Sequence, residues 1–173
     1  MEVSTIEIRK GSVTGMKADA VVNAANEGLR AGGGVCGVIF REAGYKKLQE
    51  ACDRIGGCRT GSAVITPGFD LEAQYIIHAV GPVWGGGKYG EAELLYGAYY
   101  SALKLAASNE CRSIAFPLIS AGIFGYPVEA AWERAVCACR DFLGRHPETD
   151  LDIIFAVLDD RIMEIGESVL QKG

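Results

Sequence analysis

DAVVNAANEGLRAGGGVCGVIFREA, residues 19–43, changes pattern twice within one short stretch. Residues 19–23 are a short apolar run ending on a polar residue, as a buried strand reads. Gly28 to Gly37 is glycine-rich. It runs into an amphipathic segment with Val35, Val38, Ile39 and Ala43 at helical spacing. The order is strand, loop, helix, and a glycine-rich loop between a strand and a helix is where close backbone approach is useful.

The same grammar continues outward. Residues 5–9 (TIEIR) alternate like a strand exposed on one face. Residues 62–66 (SAVIT) and 75–80 (YIIHAV) read as strands, parted by Pro67-Gly68. Residues 45–54 suit a short helix, and 91–108 place Leu94, Leu95, Ala98, Ala102 and Leu105 on one helical face. Residues 113–119 (SIAFPLI) are apolar on both faces, as in a central strand covered by helices. Ser120 to Gly125 form a second glycine-containing loop, and Pro127 suits the first turn of a helix. That helix carries Trp132, Ala135, Val136, Cys139, Phe142 and Leu143 at helical spacing. Residues 152–158 are a last buried strand and 160–171 a closing helix. The expected fold is α/β, with a mostly parallel, mixed sheet of about six strands between helical layers. In such sheets ligands bind outside the carboxyl ends of the strands. Both glycine loops leave a strand at its carboxyl end, so both are expected on one rim.

Two readings stand at each loop. Gly32-Gly33-Gly34-Val35 removes every Cβ at a helix entrance, so that a phosphate or ribose can approach free N–H groups and the helix dipole. The same residues also suit a loop needing positive φ. Ser120-Ala121-Gly122-Ile123-Phe124-Gly125 can expose consecutive N–H groups, with Phe124 as a platform for a sugar ring. It also reads as a tight strand-to-helix turn with Phe124 in the core. Asn23 and Asn26 bracket Ala24-Ala25. Their amides suit a hydroxyl-rich ligand or ordinary turn chemistry. Gly85 to Gly90 match G-x-G-x-x-G in letters, but Gly81-Pro82-Val83-Trp84 separate them from the preceding strand. A mobile loop is the expectation there. His78, mid-strand, reads as a hydrogen-bonded structural histidine.

The chain has 173 residues and 49% apolar residues, which suits one domain over 1–173. No apolar run approaches the ~20 residues of a membrane span. The N-terminal MEVSTIEIRKG carries charges where a signal peptide needs an apolar stretch. The expectation is a soluble cytoplasmic monomer. A net charge of −5 with short basic clusters argues against duplex nucleic acid as partner, yet leaves small anions open, because backbone N–H groups bind phosphate without net positive charge. The six cysteines are read as free thiols, and neither histidine has zinc-ligand spacing to them, so no metal and no cofactor are expected.

Taken together, Gly11-Ser12-Val13-Thr14, VVNAAN at 21–26, GGGVCG at 32–37, YIIHAVGP at 75–82 and PLISAGIFGYP at 117–127 resemble the macrodomain family in order and spacing. The resemblance implies a three-layer α/β/α fold that binds ADP-ribose in a cleft on the sheet rim. It implies that Asn26 hydrogen-bonds the distal ribose, with Ala25 in the same loop and Asn23 supporting it. Gly33, Gly34 and Val35 would wrap the distal ribose and diphosphate. Ser120, Ala121, Gly122, Ile123, Phe124 and Gly125 would form the opposite wall, and Ser12, Val13 and Leu158 the adenine end. It further implies hydrolysis of mono-ADP-ribosyl ester links on acidic residues or of O-acetyl-ADP-ribose, with ADP-ribosylated proteins as partners and Asn23, Asn26 and Cys36 nearest the chemistry. The alternative is a module that binds ADP-ribose without cleaving it.

Three departures bear on this. Ser12 stands where the family commonly has Asp, and Leu158 where an aromatic often packs on adenine. Cys36 and Phe40 stand where hydrolases of the MacroD type carry Asp and often His. Cys36 reads as a small packing residue. The competing reading is a nucleophile whose thiol pKa a helix N-terminus lowers.

Overall fold

Strand β2 (Ala20–Ala24) lies near the middle of the molecule, buried along nearly its whole length. The computed structural model describes residues 4–172. Met1–Val3, part of the stretch read against a signal peptide, and Gly173 lie outside the described residues. Around β2 stand β1 (Ile6–Lys10), β3 (Ala63–Pro67), β4 (Tyr75–Ala79), β5 (Ser113–Phe116) and β6 (Asp152–Val157), in the spatial order β1-β6-β5-β2-β4-β3. Every neighbouring pair is parallel except β3 with β4. The sheet is therefore mixed and mostly parallel, as expected. β1 is an edge strand, which explains its one-sided alternation.

Helices cover both faces. α1 (Gly34–Ala43) and α2 (Tyr45–Ile55) pack with Val21, Ile76, Ala115 and Ile154 on one side. α3 (Glu91–Ser108), α4 (Val128–Arg145) and α5 (Asp160–Gln171) pack with Val22, Ile77, Phe116 and Phe155 on the other. Successive residues of β2 thus enter opposite cores, because side chains alternate along a strand. That is why its sequence is continuously apolar. Each large side chain fully buried here contributes roughly 1.5–3 kcal/mol. Trp132 adds a hydrogen bond from Nε1 to Ile162 O at 3.0 Å and an edge-on contact with Phe155, ring centroids 5.1 Å apart.

Three expectations shift. The buried stripe of α3 is Leu95, Ala98, Tyr99, Ala102, Leu103 and Ala106, while Leu94 and Leu105 sit half-buried at its margins. Tyr99 drives the difference, since its ring meets Phe116 and Phe155. Strand β5 ends at Phe116 and not at Ile119. Pro117 has no N–H for the ladder, and Tyr99 takes over: its hydroxyl accepts from Ile119 N at 2.8 Å and reaches Pro117 O at 3.3 Å. A 3₁₀ turn over Val13–Gly15, capped by Ser12, also escaped the periodicity reading because one turn has no period.

Candidate functional site

β2 and β5 are hydrogen-bonded neighbours and run parallel, so the loops that follow them leave the same edge of the sheet. The first loop runs from Ala25 to Gly33 and the second from Pro117 to Pro127. β6 ends beside β5 and hands on to Leu158 and Asp159. Gly11 N donates to Val157 O at 2.8 Å, which brings Gly11–Val13 alongside. Between these segments lies a cleft of about 590 Å³, within the roughly 300–1,000 Å³ usual for small-molecule sites. Ser12, Val13, Ala25, Asn26, Gly33, Gly34, Val35, Cys36, Ser120, Ala121, Gly122, Ile123, Phe124 and Leu158 all line it. Ile123 and Leu158 are 86% and 73% exposed, at its rim.

The two loops approach closely. A Cβ built on Gly33 would stand 3.8 Å from Ile123 Cδ1. A Cβ on Gly37 would meet Gly32 O at 2.6 Å, so the start of α1 packs on the first loop only with glycine there. A Cβ on Gly81, just past β4, would stand 2.2 Å from Ser120 Oγ. Glycine at 81 lets the second loop lie against the end of β4.

Among the described residues, no lysine, arginine or histidine lines the cleft. Any attraction for an anion must therefore come from backbone N–H groups and from neutral side-chain donors such as Asn26 and Ser120. Gly33 caps α1 without a side-chain hydrogen bond, which leaves the first-turn N–H groups of α1 without intrahelical partners at the cleft wall. Ser120 adopts φ +68, sparsely populated for a non-glycine, and its Oγ is buried with no partner.

Each asparagine has a definite place. Asn26 accepts from Arg30 N at 2.9 Å and donates to Arg30 O at 2.8 Å, which closes the first loop on itself. An amide has two donors and two acceptor lone pairs, so one of each remains for a ligand. Asn23 is 1% exposed and stands behind the cleft, outside its lining. Its Nδ2 lies 3.1 Å from His78 Nδ1, and His78 Nε2 lies 3.0 Å from Thr66 Oγ1. Thr66 spends its single hydroxyl proton on Pro67 O at 3.2 Å. His78 Nε2 must therefore carry the ring proton, and Asn23 must donate to Nδ1. Burial holds His78 down at about 4, so it is neutral at ordinary pH. The structural reading of His78 holds; Asn23 pairs with it inside the core, and the Asn23 Oδ1 is buried without a hydrogen-bond partner.

Cys36 lies in the first turn of α1 and is 6% exposed. The expectation that the helix N-terminus lowers its pKa is corrected: burial pushes the thiol up. Desolvation of the thiolate outweighs the hydrogen bonds of Asn23 and Gly32 that would lower it. Gly125, at φ +73, completes the turn after Phe124 without lining the cleft. Phe124 is half-buried and faces the cleft, not the core.

Asp159 was missed as a lining residue. Its Oδ1 accepts from Ile162 N at 2.9 Å, capping α5. The pattern DDRI before a helix signals a cap, but only the tertiary structure brings that cap to the cleft. The turn at Gly85–Gly90, expected as a mobile loop, folds around Glu91, whose carboxylate accepts from the N–H groups of Gly85, Gly87 and Tyr89.

The profile of the Macro domain family matches residues 22–135. A macro domain-containing protein of Chlorobaculum tepidum is 49% identical, over 95% of this chain and 94% of its own length. An O-acetyl-ADP-ribose deacetylase of Salmonella gallinarum is 51% identical, over 98% of this chain and 97% of its own. Among solved structures, the Oceanobacillus iheyensis macrodomain with ADP superposes with a TM-score of 0.90 at 34% identity, covering 95% of this chain and 89% of that one. The Trypanosoma brucei macrodomain in complex with ADP-ribose gives a TM-score of 0.86 at 38% identity, covering 94% and 68%. With the fold, the loop order and these likenesses in agreement, the chain belongs to the macro domain family.

Proposed function

We propose that this chain binds ADP-ribose in the cleft and hydrolyses O-acetyl-ADP-ribose or mono-ADP-ribosyl esters on acidic side chains. One observation carries the binding: two loops on neighbouring parallel strands wall a cleft that offers backbone N–H groups and no cationic side chain. Such a cleft suits a diphosphate, whose charge the helix N-terminus and the loop amides neutralise without a buried lysine. The 51% identity to a deacetylase supports turnover.

The diphosphate lies between Gly33–Val35 and Ser120–Phe124, and the distal ribose lies beside Phe124 and Asn26. The adenine end lies toward Ser12 and Leu158. Ser12 Oγ already accepts from Thr14 N at 3.4 Å and lies 3.0 Å from Thr14 Oγ1, so it offers adenine an uncharged and partly occupied acceptor. Asn26 has one donor and one lone pair free to orient the ribose or an attacking water. A substrate phosphate completes the water's hydrogen bonding; the water adds to the anomeric carbon of a mono-ADP-ribosyl ester, releasing the protein carboxylate, or to the acetyl carbon of O-acetyl-ADP-ribose, releasing acetate and the ribose hydroxyl. Cys36, a buried neutral thiol, takes no covalent part.

The second reading, binding without cleavage, is favoured by one observation: no carboxylate stands at Cys36 to orient water. Incubation with a protein auto-ADP-ribosylated on acidic residues separates the two. Loss of label is expected. Thermal stabilisation by ADP-ribose without loss of label or of the acetyl group of O-acetyl-ADP-ribose would leave the binding module, and no stabilisation would refute both.

A further inference from the structure

Glu91, the first residue of α3, is 2% exposed although it sits at a helix start on the surface side of the fold. Its Oε2 accepts from Gly85 N at 2.8 Å and Gly87 N at 2.9 Å, and its Oε1 from Tyr89 N at 2.7 Å. These three N–H groups form a small anion-binding concavity that the chain fills with its own carboxylate. Burial works to raise the Glu91 carboxyl, but the N–H groups of Gly87, Gly85, Glu91 itself and Tyr89 outweigh it and hold it at about 2. The turn is thereby fixed by charge-assisted hydrogen bonds, which are stronger than neutral ones.

The turn lies on Trp84. A Cβ on Gly87 would stand 2.9 Å from the indole. Trp84 N donates to Phe124 O at 2.8 Å, and its ring packs on Tyr126 with centroids 4.7 Å apart. Within the second loop, Gly125 N donates to Gly122 O and Tyr126 N to Ser120 O. Both of those bonds are internal. Among the described residues, the bond from Trp84 is the one backbone hydrogen bond tying residues 120–125 to another segment.

We propose that Glu91 is a positioning residue for the ligand cleft: it fixes the turn 85–89, and through Trp84 it sets the second loop in its ligand-gripping shape. The proposal rests on the reading of that loop as the wall for the diphosphate and distal ribose. Glu91 touches no ligand. It acts on the half of the cleft lined by Ser120–Phe124 and not on the adenine end, which β6 and Gly11–Val13 build.

Glu91→Gln tests this, because it keeps the shape, removes the charge and turns one acceptor into a donor facing N–H groups. The expected result is at least a tenfold rise in the ADP-ribose Kd by calorimetry, with the AMP Kd within about threefold of wild type. Glu91→Asp should fall between the two. An ADP-ribose Kd within twofold of wild type overturns the proposal. So does equal loss of both ligands, which is what a merely structural role gives. If Glu91→Gln does not fold, Glu91→Asp carries the same comparison. Ligand-free amide spectra supply a reading that does not depend on ADP-ribose being the ligand. The Trp84, Phe124 and Gly125 resonances should shift in the variant, and unshifted resonances overturn the proposal. Failure of the wild type to bind ADP-ribose, with those resonances shifted, refutes the proposed function and leaves the chain of contacts standing.

Discussion

Gly122 and Cys36 bound what single residues can decide in this cleft. A Cβ on Gly122 meets nothing within 4 Å, so a side chain there costs the fold little. Gly122→Glu should therefore fold with near-native stability and carry a carboxylate into the space assigned to the diphosphate. Repulsion and occupied volume should raise the ADP-ribose Kd by at least 100-fold, an affinity loss of about 2.7 kcal/mol. Calorimetry showing unchanged affinity would displace the diphosphate from this loop. Cys36→Ala removes a buried thiol bonded only weakly, to Arg30 O at 3.5 Å. Turnover of O-acetyl-ADP-ribose should stay within tenfold of wild type. Complete loss would mean that the thiol takes part in the chemistry. Sequence reading found both residues. It could not assign Asn23 its depth, because polar residues at a strand end read alike whether they face a ligand or a histidine.

At the scale of elements, the cleft depends on how closely loops and helix starts approach each other. The junction of the first loop with α1 is a tight backbone contact, with Gly32 O 2.6 Å from where a Cβ on Gly37 would be. Gly37→Ala should push the helix start from the loop. Such overpacking costs about 1–3 kcal/mol, and ADP-ribose affinity should fall in parallel as the α1 amides move. A variant with wild-type urea midpoint and affinity would show that the junction yields freely. The strands and helices themselves were legible because apolar periodicity is local. The end of β5 was not, since Tyr99, from a helix distant in sequence, supplies the hydrogen bonds that stop the ladder. The order in Gly85–Gly90 was not legible either. Glycine composition signals conformational freedom, and only the folded chain shows that Glu91 removes it.

For the whole molecule, acid stability follows from the buried groups. His78 stays neutral in the fold down to about 4, whereas the unfolded chain takes up a proton near 6.5. Between those values the unfolded state binds more protons, so stability falls as pH drops from about 6.5 to 4, by about 3 kcal/mol. The groups facing His78 are Asn23, Thr66 and Cys52, none of them a carboxylate that would offset this. Glu91 acts in the same direction lower down. Its contribution is complete above about 4.5 and is lost as pH falls toward 2. Urea unfolding at pH 6.5 and 4.5 should show a marked drop in stability. Equal values would contradict a neutral buried His78.

The sequence by itself determined the alternation of strands and helices, the mostly parallel sheet and the placing of two glycine loops on one rim. These follow from periodicity and chain direction, which are properties of neighbouring residues. Only the tertiary structure decided which polar groups the fold consumes and which it leaves free. The Asn23 N–H is spent on His78, Glu91 on a turn and half of Asn26 on Arg30, while the amides of α1 and the loops remain open to the cleft. That division depends on contacts between segments far apart in the chain, where burial and hydrogen-bond geometry, not residue type, assign each group its role.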